Sequence, residues 1–375
     1  MRRPEPCLRL TLTLCLMMVL ASQAHAHKAS DSFLYVDTGR SELRIDVALR
    51  DLALLLPLDQ NGDQQVSGRE IRAQRAGMTR ILESGVTVAS ASGTCALAGA
   101  DWGISTHSDG HYGAARYRLD CPNGEPPATL SYQLLFDRDS LHRGLVRIDS
   151  GDRETLAVLS PDQRQVDLLP GSAPGRWRTF TTFLREGVIH LLIGLDHILF
   201  LLVLVLPASL MTASPGRSES PGLRPRLIQL AGIVTAFTLA HSVTLALAAL
   251  EIVRLPIAWV ETVIALSIAL AALNVLWPVL GRKTWKLAFG FGLVHGFGFA
   301  SVLGDLTGGE ANLAIALAGF NLGVEAGQLG LLILGFPVLY LLARFRVYQR
   351  ALVPAMLAGV GGISLMWVIE RAASI

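Results

Sequence analysis

Residues 190–206 read HLLIGLDHILFLLVLVL, an apolar run that contains two histidines and one aspartate. The run continues on both sides to cover 184–207, which is long enough to cross the hydrocarbon layer of a membrane as an α-helix. Ionisable side chains at that depth are costly and mark ion or substrate pathways. We therefore expect a transmembrane helix that carries a functional site.

Further apolar runs follow, so that the second half of the chain differs in composition from the first. The whole chain is 51% hydrophobic and 17% charged, and its mean hydropathy of +0.45 averages a polar front half and a very apolar back half. We predict an α-helical membrane bundle of about six transmembrane helices, at 184–207, 227–250, 257–280, 287–304, 311–342 and 351–369. This transmembrane domain is placed at 179–375.

Residues 27–178 predict a mainly β extracytoplasmic domain. Short alternating runs are separated by Gly, Asp, Asn and Pro, as is typical of strands and turns, and the clearest runs are 43–49, 115–119, 129–136 and 145–148. One helix is expected between Ser67 and Gly85, where apolar residues have helical spacing. Cys95 and Cys121 are expected to pair as a disulfide if the domain is exported; a two-cysteine metal site is the alternative.

The start of the chain indicates export. Residues 1–26 have two leading arginines, a short apolar core and the sequence Ala24-His25-Ala26, which together are typical of a cleaved signal peptide. The loops expected on the inner side are basic, which agrees with the positive-inside rule; their charges are Arg217, Arg224, Arg226, Arg282, Lys283, Lys286, Arg344, Arg346 and Arg350. We expect a bacterial inner-membrane protein with its β domain in the periplasm. A net charge of only +2 indicates no nucleic-acid partner.

The loop at residues 59–70 reads DQNGDQQVSGRE and has the spacing of an EF-hand calcium loop. The residues that would supply oxygen ligands are Asp59, Asn61, Asp63, Gln65, Ser67 and Glu70. The sixth position, which is Gly in that motif, is Gln64 here, and a left-handed backbone at this residue costs about 1 kcal/mol or more. A structural calcium site and a polar turn without calcium are both open.

A set of polar side chains recurs in the predicted helices and points to a metal site. Imidazole and carboxylate ligands without Cys favour a divalent transition metal such as Ni, Co or Zn. The candidate metal ligands are His190, Asp196, His197, His241, His295, Glu261, Asn321 and Glu325. On a continuous helix His190 and His197 share a face, and Gly194 between them leaves room for an ion. The alternative is that these groups are hydrogen-bonded contacts between helices.

These motifs resemble those of the HupE/UreJ family. The residues that carry the resemblance are His190-x5-Asp196-His197, Phe237-Thr-Leu-Ala-His241-Ser, Phe291-Gly-Leu-Val-His295-Gly-Phe-Gly-Phe-Ala and Phe320-Asn321-Leu-Gly-Val-Glu325-x-Gly-Gln328. Members are regarded as membrane proteins linked to nickel uptake for hydrogenase or urease, and the first motif is associated with the metal. The compact members carry H-G-x-x-H-G-x-E where this chain has one histidine, and the chain resembles the longer branch with a signal peptide and an outer β domain.

Three functions are compatible with these observations. The first is a permease for a divalent transition metal, with the lipid bilayer and the metal ion as partners and, through the resemblance, a metalloenzyme maturation system. The second is an intramembrane zinc-dependent hydrolase in which three histidines hold zinc and Asp196 or Ser242 assists. The third is a metal-related membrane sensor or assembly factor, which is not an enzyme. We expect the first function, and no nucleotide-binding Walker motif is present to power it.

Overall fold

The computed structural model describes residues 30–63, 65–107, 110–151, 154–169, 175–210, 222–253, 255–277, 280, 284–304 and 310–372. The predicted signal peptide and Gln64 of the acidic loop lie outside these ranges. The chain forms two compact units, one made of 28–182 with 301–316 and the other containing 183–300 with 317–375. The first is mostly β and the second is helical, as predicted from the sequence.

Among its described residues, the first unit has ten strands in two sheets. A six-stranded sheet has the order β5-β6-β2-β1-β8-β9, in which only β1 and β8 run parallel, and a four-stranded antiparallel sheet has the order β10-β7-β3-β4. The strands are β1 Asp31–Asp37, β2 Glu42–Ala48, β3 Val86–Ser90, β4 Gly93–Thr94, β5 Ala96–His107, β6 Gly110–Asp120, β7 Thr129–Tyr132, β8 Arg143–Asp149, β9 Glu154–Leu159 and β10 Gln165–Asp167.

The alternation along the strands explains how this unit builds its core. In β2 the side chains of Leu43 and Ile45 are fully buried, whereas Glu42 and Arg44 between them are only partly covered. The buried face joins Leu130 of the second sheet and Leu82 of a helix in one hydrophobic cluster. The first half of β2 therefore has one face that packs in the core and one face that carries polar side chains.

In the described part of the unit, one disulfide, one turn of 3-10 helix at Pro122–Gly124 and three short α-helices accompany the sheets: α1 Leu49–Leu52, α2 Gly68–Ala73 and α3 Arg75–Gly85. The helix predicted at 67–85 is thus present as two helices that meet at Gln74. The strand predicted at 129–136 is too long, because β7 ends at Tyr132 and Leu135 has a left-handed backbone with φ of 65°. The predicted disulfide between Cys95 and Cys121 is present.

The second unit consists of long helices. They are α4 Arg176–Ile193, α5 Leu195–Ser209, α6 Leu223–Ala249, α7 Ile257–Leu276, α8 Thr284–Gly304, α9 Glu310–Leu342 and α10 Val353–Ala372, and one turn of π-helix at Tyr348–Leu352 leads into α10. Large apolar side chains remain exposed on these helices, for example Ile333, Leu334 and Val338 on α9. Because water would not tolerate such a continuous apolar surface, it must face lipid.

Four helical segments are long and apolar enough to cross a membrane, and they are Leu223–Ala249, Ile257–Leu276, Leu313–Leu342 and Tyr348–Ala372. The pair α4 and α5 makes a fifth if the two are taken as one bent span. The expected number was about six. Within the residues that the structure describes, α8 does not reach the same standard, although it forms a helix where the fourth span was predicted.

Glycines permit close crossings between these helices. A Cβ on Gly187 of α4 would collide with the Phe320 carbonyl of α9, and a Cβ on Gly323 would collide with the Leu184 carbonyl. A Cβ on Gly296 of α8 would likewise collide with the His241 carbonyl of α6. Side chains near these crossings are therefore held close to one another, because small residues let helix backbones approach.

Candidate metal centre

The helix that carries the histidine and aspartate motif is broken at Gly194. Gly194 has φ −65° and ψ 93°, and α4 and α5 meet there at an angle of 72°. The expectation of one continuous helix is therefore wrong. A Cβ at this position would lie 2.8 Å from Nδ1 of His197, 2.9 Å from the His190 carbonyl and 3.0 Å from Oδ1 of Asp196, so the break is packed too tightly for any larger residue.

The break does not separate the histidines, and two more join them from other helices. The His197 ring centroid lies 5.0 Å from that of His190, 6.3 Å from that of His241 and 5.5 Å from that of His295. These rings come from α4, α5, α6 and α8, and the side chains of His197, His241 and His295 are buried. Four imidazoles far apart in sequence thus form one cluster, which we call the histidine cluster.

Three members of the histidine cluster have Nδ1 on an oxygen acceptor. Nδ1 of His197 lies 3.0 Å from Oδ1 of Asp196, Nδ1 of His241 lies 3.0 Å from Oδ1 of Asn321, and Nδ1 of His295 lies 2.8 Å from the Phe291 carbonyl. A carbonyl or carboxylate oxygen only accepts, so Nδ1 carries the proton in each ring. In the neutral ring Nε2 then holds a lone pair.

The amide of Asn321 fixes this tautomer for His241. Its Nδ2 donates to the Leu317 carbonyl at 2.9 Å, one turn earlier in α9. Because the nitrogen is used in this way, the oxygen is the atom that faces His241. Hydrogen bonds of this kind orient metal-binding histidines and set which nitrogen is available.

The Nε2 atoms of His197, His241 and His295 are buried and have no hydrogen-bond partner in the part of the chain that the structure describes. An unmade hydrogen bond of a buried polar group costs about 1–3 kcal/mol, so three in one cluster require an explanation. A metal ion provides one, because lone pairs of neutral imidazoles are its usual nitrogen ligands.

The distances between the imidazole rings of the cluster are close to those between imidazoles that bind one metal ion, but one of them is longer. Imidazoles bound tetrahedrally at about 2.0–2.1 Å would have ring centroids about 5 Å apart. Among the described residues, no group of three or more His, Cys, Asp or Glu side chains is arranged so that it could hold a metal ion as it stands. Binding would require the rings of His197 and His241 to approach by about 1 Å.

Aromatic side chains surround the cluster. Phe237 has ring centroids 6.0 Å from His241 and 5.3 Å from His295, Phe200 lies 5.5 Å from His295, and Phe320 lies 5.2 Å from His190. Phenylalanine rings packed around the histidines exclude water and lower the local dielectric constant. Electrostatic attraction between an ion and the Asp196 carboxylate is stronger there than in water.

Of the two glutamates in the predicted ligand set, Glu325 has a hydrogen bond to its side chain and Glu261 has one to its backbone. Oε1 of Glu325 accepts from the Thr235 hydroxyl at 2.7 Å, while the backbone carbonyl of Glu261 accepts from Nη1 of Arg371 at 2.9 Å. Next to Glu325, Gln328 accepts from the Thr238 hydroxyl at 3.2 Å. Thr235, Thr238 and Arg371 were absent from the sequence-based set, and only helical spacing beside His241 could have indicated the two threonines.

Two other sequence-based assignments have different surroundings from those expected. The Ser242 hydroxyl, assigned to the hydrolase hypothesis, donates to the Thr238 carbonyl at 2.7 Å. Arg226, expected in an inner loop, is buried in α6, where its Nη1 donates to the Ala208 and Ser209 carbonyls at 3.0 Å each. It therefore binds the C-terminal end of α5, the helix that carries His197.

The acidic loop at 59–70 is a turn closed by its own side chains. Asp59, Asn61 and Asp63 each accept a backbone N–H of the loop, from Gly62, Asp63 and Gln65 at 2.7, 2.9 and 2.8 Å. Glu70 accepts from the Gln60 N–H and from Ser67, which caps α2. Calcium binding by this loop stays a prediction.

Comparison with known proteins assigns the helical unit. The model of the family described as HupE / UreJ protein matches residues 169–371, which include every candidate ligand in the helices. No curated protein matches the chain. The family match covers more than half of the chain, and its range contains both the broken helix at Gly194 and the histidine cluster. The chain belongs to the HupE/UreJ family of bacterial membrane proteins linked to nickel and cobalt handling.

Proposed function

We propose that this protein is a permease for a divalent transition metal of the nickel or cobalt type, and that the ion crosses through the histidine cluster. One observation carries the proposal. Three buried imidazoles from three helices each hold Nδ1 on an oxygen acceptor and leave Nε2 without a partner among the described residues. Helix-to-helix hydrogen bonding alone does not explain this, because it leaves Nε2 of all three rings without a partner among the described residues.

Each residue has a role in the proposed pathway. His197, His241 and His295 hold the ion, and His190, 5.0 Å from His197 between ring centroids, exchanges it with the outer side. The Asp196 carboxylate offsets the charge of the ion and orients His197. Asn321 orients His241, while Glu325 and Glu261 are side chains that balance charge in neighbouring parts of the bundle.

The position of the cluster along the helices supports passage through the membrane. Trp259 and Trp277 are exposed at the two ends of α7, about 27 Å apart along the helix axis, close to the thickness of the hydrocarbon layer. Such tryptophans favour the two membrane interfaces. His241 and His295 lie about 12–14 Å from the C-terminal ends of α6 and α8. In a layer about 30 Å thick this depth is near the middle.

We further propose the inner membrane as the location, with the β unit in the periplasm. The signal peptide predicted at 1–26, the basic segments predicted to lie on the inner side and the disulfide between Cys95 and Cys121 support this orientation. A set of imidazole nitrogens and one carboxylate favours Ni, Co or Zn over the hard cations Mg and Ca. Delivery of the ion to a metalloenzyme maturation system belongs to the same proposal.

Metal accumulation in cells tests the permease. Cells that express the wild-type chain or His197→Ala are incubated with radioactive nickel or cobalt, and membrane levels of the two proteins are matched. We expect uptake above the vector control in wild type and none in His197→Ala. Ser267→Ala is the matched control, because this buried serine in α7 bonds only within its own helix to the Ile264 carbonyl. Equal uptake by His197→Ala and wild type would remove the proposal.

A further inference from the structure

A shallow groove lies on the polar face of the six-stranded sheet. It has a volume of about 270 Å³ and is lined mainly by charged side chains from β1, β2, β6 and β8. One row of residues crosses four strands in register: Arg147 is paired with Tyr35, Tyr35 with Arg44, and Arg44 with Arg116. Side chains in register point to the same face, so three arginines flank one tyrosine.

The next row on the same face is acidic on three of its four strands. Two residues further along each strand, Asp149 is paired with Asp37, Asp37 with Glu42, and Glu42 with Arg118. Like charges that lie directly opposite each other destabilise a sheet, and here this occurs for Arg44 with Arg116 and for Asp37 with both of its neighbours. Two adjacent rows, each with internal repulsion, are an arrangement that stability alone does not favour.

The two rows do not neutralise each other. Arg44 is bound to Asp46, Arg147 to Glu154, and Arg40 of the β1–β2 turn lies 3.6 Å from Asp37. Within the described parts of the chain, the side chains of Arg116, Glu42 and Asp149 form no ion pair with one another or with any other residue. Charges of both signs therefore remain available to a ligand in the groove.

The side chain of Arg44 is fixed by hydrogen bonds before any ligand binds in the groove. Nε and Nη2 of Arg44 donate to the two carboxylate oxygens of Asp46 at 2.8 and 2.5 Å, and Nη2 also donates to the Ser105 hydroxyl at 2.8 Å. The guanidinium also lies over the Tyr35 ring, 5.3 Å from its centroid. These contacts leave Nη1 of Arg44 for a ligand and reduce the entropy lost on binding.

We propose that this groove is a binding site for a small zwitterion of the amino-acid class, with its carboxylate at Arg116 and Arg44 and its ammonium at Glu42 and Asp149. The two rows are about 6.6–6.8 Å apart along the strands. In an α-amino acid the nitrogen and carboxyl carbon are about 2.5 Å apart. With a hydrogen bond of about 2.8 Å at each end, the ligand spans about 8 Å between protein atoms, a distance that side chains can bridge from rows about 6.6–6.8 Å apart at the backbone.

A ligand with charge of one sign fits the groove less well. Four arginines and three carboxylates line it, so a simple anion meets the acidic row and a simple cation meets the arginines. The volume is suited to a single amino acid rather than to a peptide of several residues. This site does not depend on the proposed metal transport, and failure of one leaves the other intact.

Isothermal titration calorimetry on the full chain in detergent tests the site. The probes are L-alanine, L-glutamine and L-leucine, each beside its N-acetyl and its carboxamide derivative, which lack one of the two charges. We expect at least one free amino acid to bind with a Kd below about 1 mM. Both derivatives of that amino acid should bind about tenfold to a hundredfold more weakly, because each loses a charge-assisted hydrogen bond.

The variants Arg116→Gln and Glu42→Gln should each weaken binding by about the same factor. Arg80→Gln is the matched control, since Arg80 is exposed on α3, donates to the Ala76 carbonyl of its own helix and does not line the groove. Circular dichroism of each variant verifies that the sheet is intact, and Arg116→Met replaces Arg116→Gln, or Asp149→Asn replaces Glu42→Gln, if either variant unfolds. The proposal is overturned if no probe binds below about 10 mM, if an N-acetyl or carboxamide derivative binds as well as its parent, or if Arg116→Gln and Glu42→Gln leave the Kd unchanged.

Discussion

Oδ1 of Asn321 on α9 lies 3.0 Å from Nδ1 of His241 on α6, and the Asn321 amide nitrogen is bound to the Leu317 carbonyl. This contact decides which nitrogen of His241 is available, since Nδ1 must carry the proton. Asp196 and the Phe291 carbonyl do the same for His197 and His295. In the proposed site these three oxygen acceptors would orient the histidines for an ion.

Asn321→Leu removes the acceptor for His241 while keeping a similar volume. Loss of a hydrogen-bonded neighbour of a ligating histidine lowers metal affinity about tenfold to a hundredfold. We expect that loss in cobalt binding to the purified protein, measured by competition with a chromophoric chelator. Ser267→Ala again serves as the control. An affinity equal to that of wild type would show that Asn321 does not orient a ligand.

Gly194→Ala adds a methyl group at the break between α4 and α5. The new Cβ would lie within 3.0 Å of Nδ1 of His197, the His190 carbonyl and Oδ1 of Asp196, so the cluster must shift. We expect uptake to fall at least about tenfold, because small displacements of ligands have large effects. Gly232→Ala on α6 is the matched control, since nothing lies within 4 Å of the position that its added methyl group would take. Uptake that is equal in the two variants would contradict the role of the break.

Gly296→Ala tests the close crossing of α6 and α8 that brings His241 and His295 together. The added Cβ would collide with the His241 carbonyl and with the Thr244 hydroxyl. Overpacking of this kind costs about 1–3 kcal/mol, and we expect a lower thermal midpoint in detergent. Gly290→Ala on the same helix meets nothing within 4 Å and should melt as wild type does. Identical midpoints for all three proteins would mean that the crossing is looser than described.

The stability of the β unit should depend on pH through His142. This side chain is fully buried between the hydroxyls of Ser30 and Tyr132, and burial, aided by the neighbouring Arg143, lowers its pKa from 6.5 to about 3. Between these two pKa values the unfolded chain binds a proton that the folded chain does not. Stability contributed by His142 is therefore lost as pH falls, by up to about 1.4 kcal/mol per pH unit.

Thermal unfolding followed by circular dichroism from about pH 7 to about pH 4 measures this dependence. His142→Gln should reduce the slope of the midpoint with pH, and His111→Gln, at an exposed position, should not. Glu70 should make stability depend on pH in a second range, which lies at lower pH than that of His142. Hydrogen bonds from Ser67 and from the Gln60 N–H lower its pKa to about 2, so its contribution is lost only as pH falls from about 4.5 towards 2. An unchanged slope in His142→Gln would contradict the assignment.

The fold could be predicted from the sequence where one physical signal dominates. Apolar length located α6, α7 and α9 to within a few residues of their observed ends, and alternation located β2, β6 and β8. The strand expected to continue to Phe136 ended at Tyr132, because the apolar residues after it fill the core from a turn with Leu135 in the left-handed region. Periodicity cannot distinguish a buried turn from a buried strand when both are apolar.

The candidate site could be predicted only in part. The types of its residues were visible, because histidines in apolar runs are rare. The bend at Gly194 was not, since a glycine within a helical pattern is tolerated and gives no local sign of an angle of 72°. Glu325 and Glu261 were predicted as ligands because they lie in apolar spans, and this stays a prediction; the contacts of the Glu325 side chain with Thr235 and of the Glu261 backbone carbonyl with Arg371 depend on how helices distant in sequence pack.

X-ray absorption spectroscopy of cobalt or nickel bound to the purified protein tests most directly whether the histidine cluster holds an ion. We expect one ion per chain with about three imidazole ligands at about 2.0–2.1 Å, and we expect this signal to be lost in His197→Ala. A bound ion surrounded by oxygen alone, or an imidazole signal that persists unchanged in His197→Ala, would contradict the account.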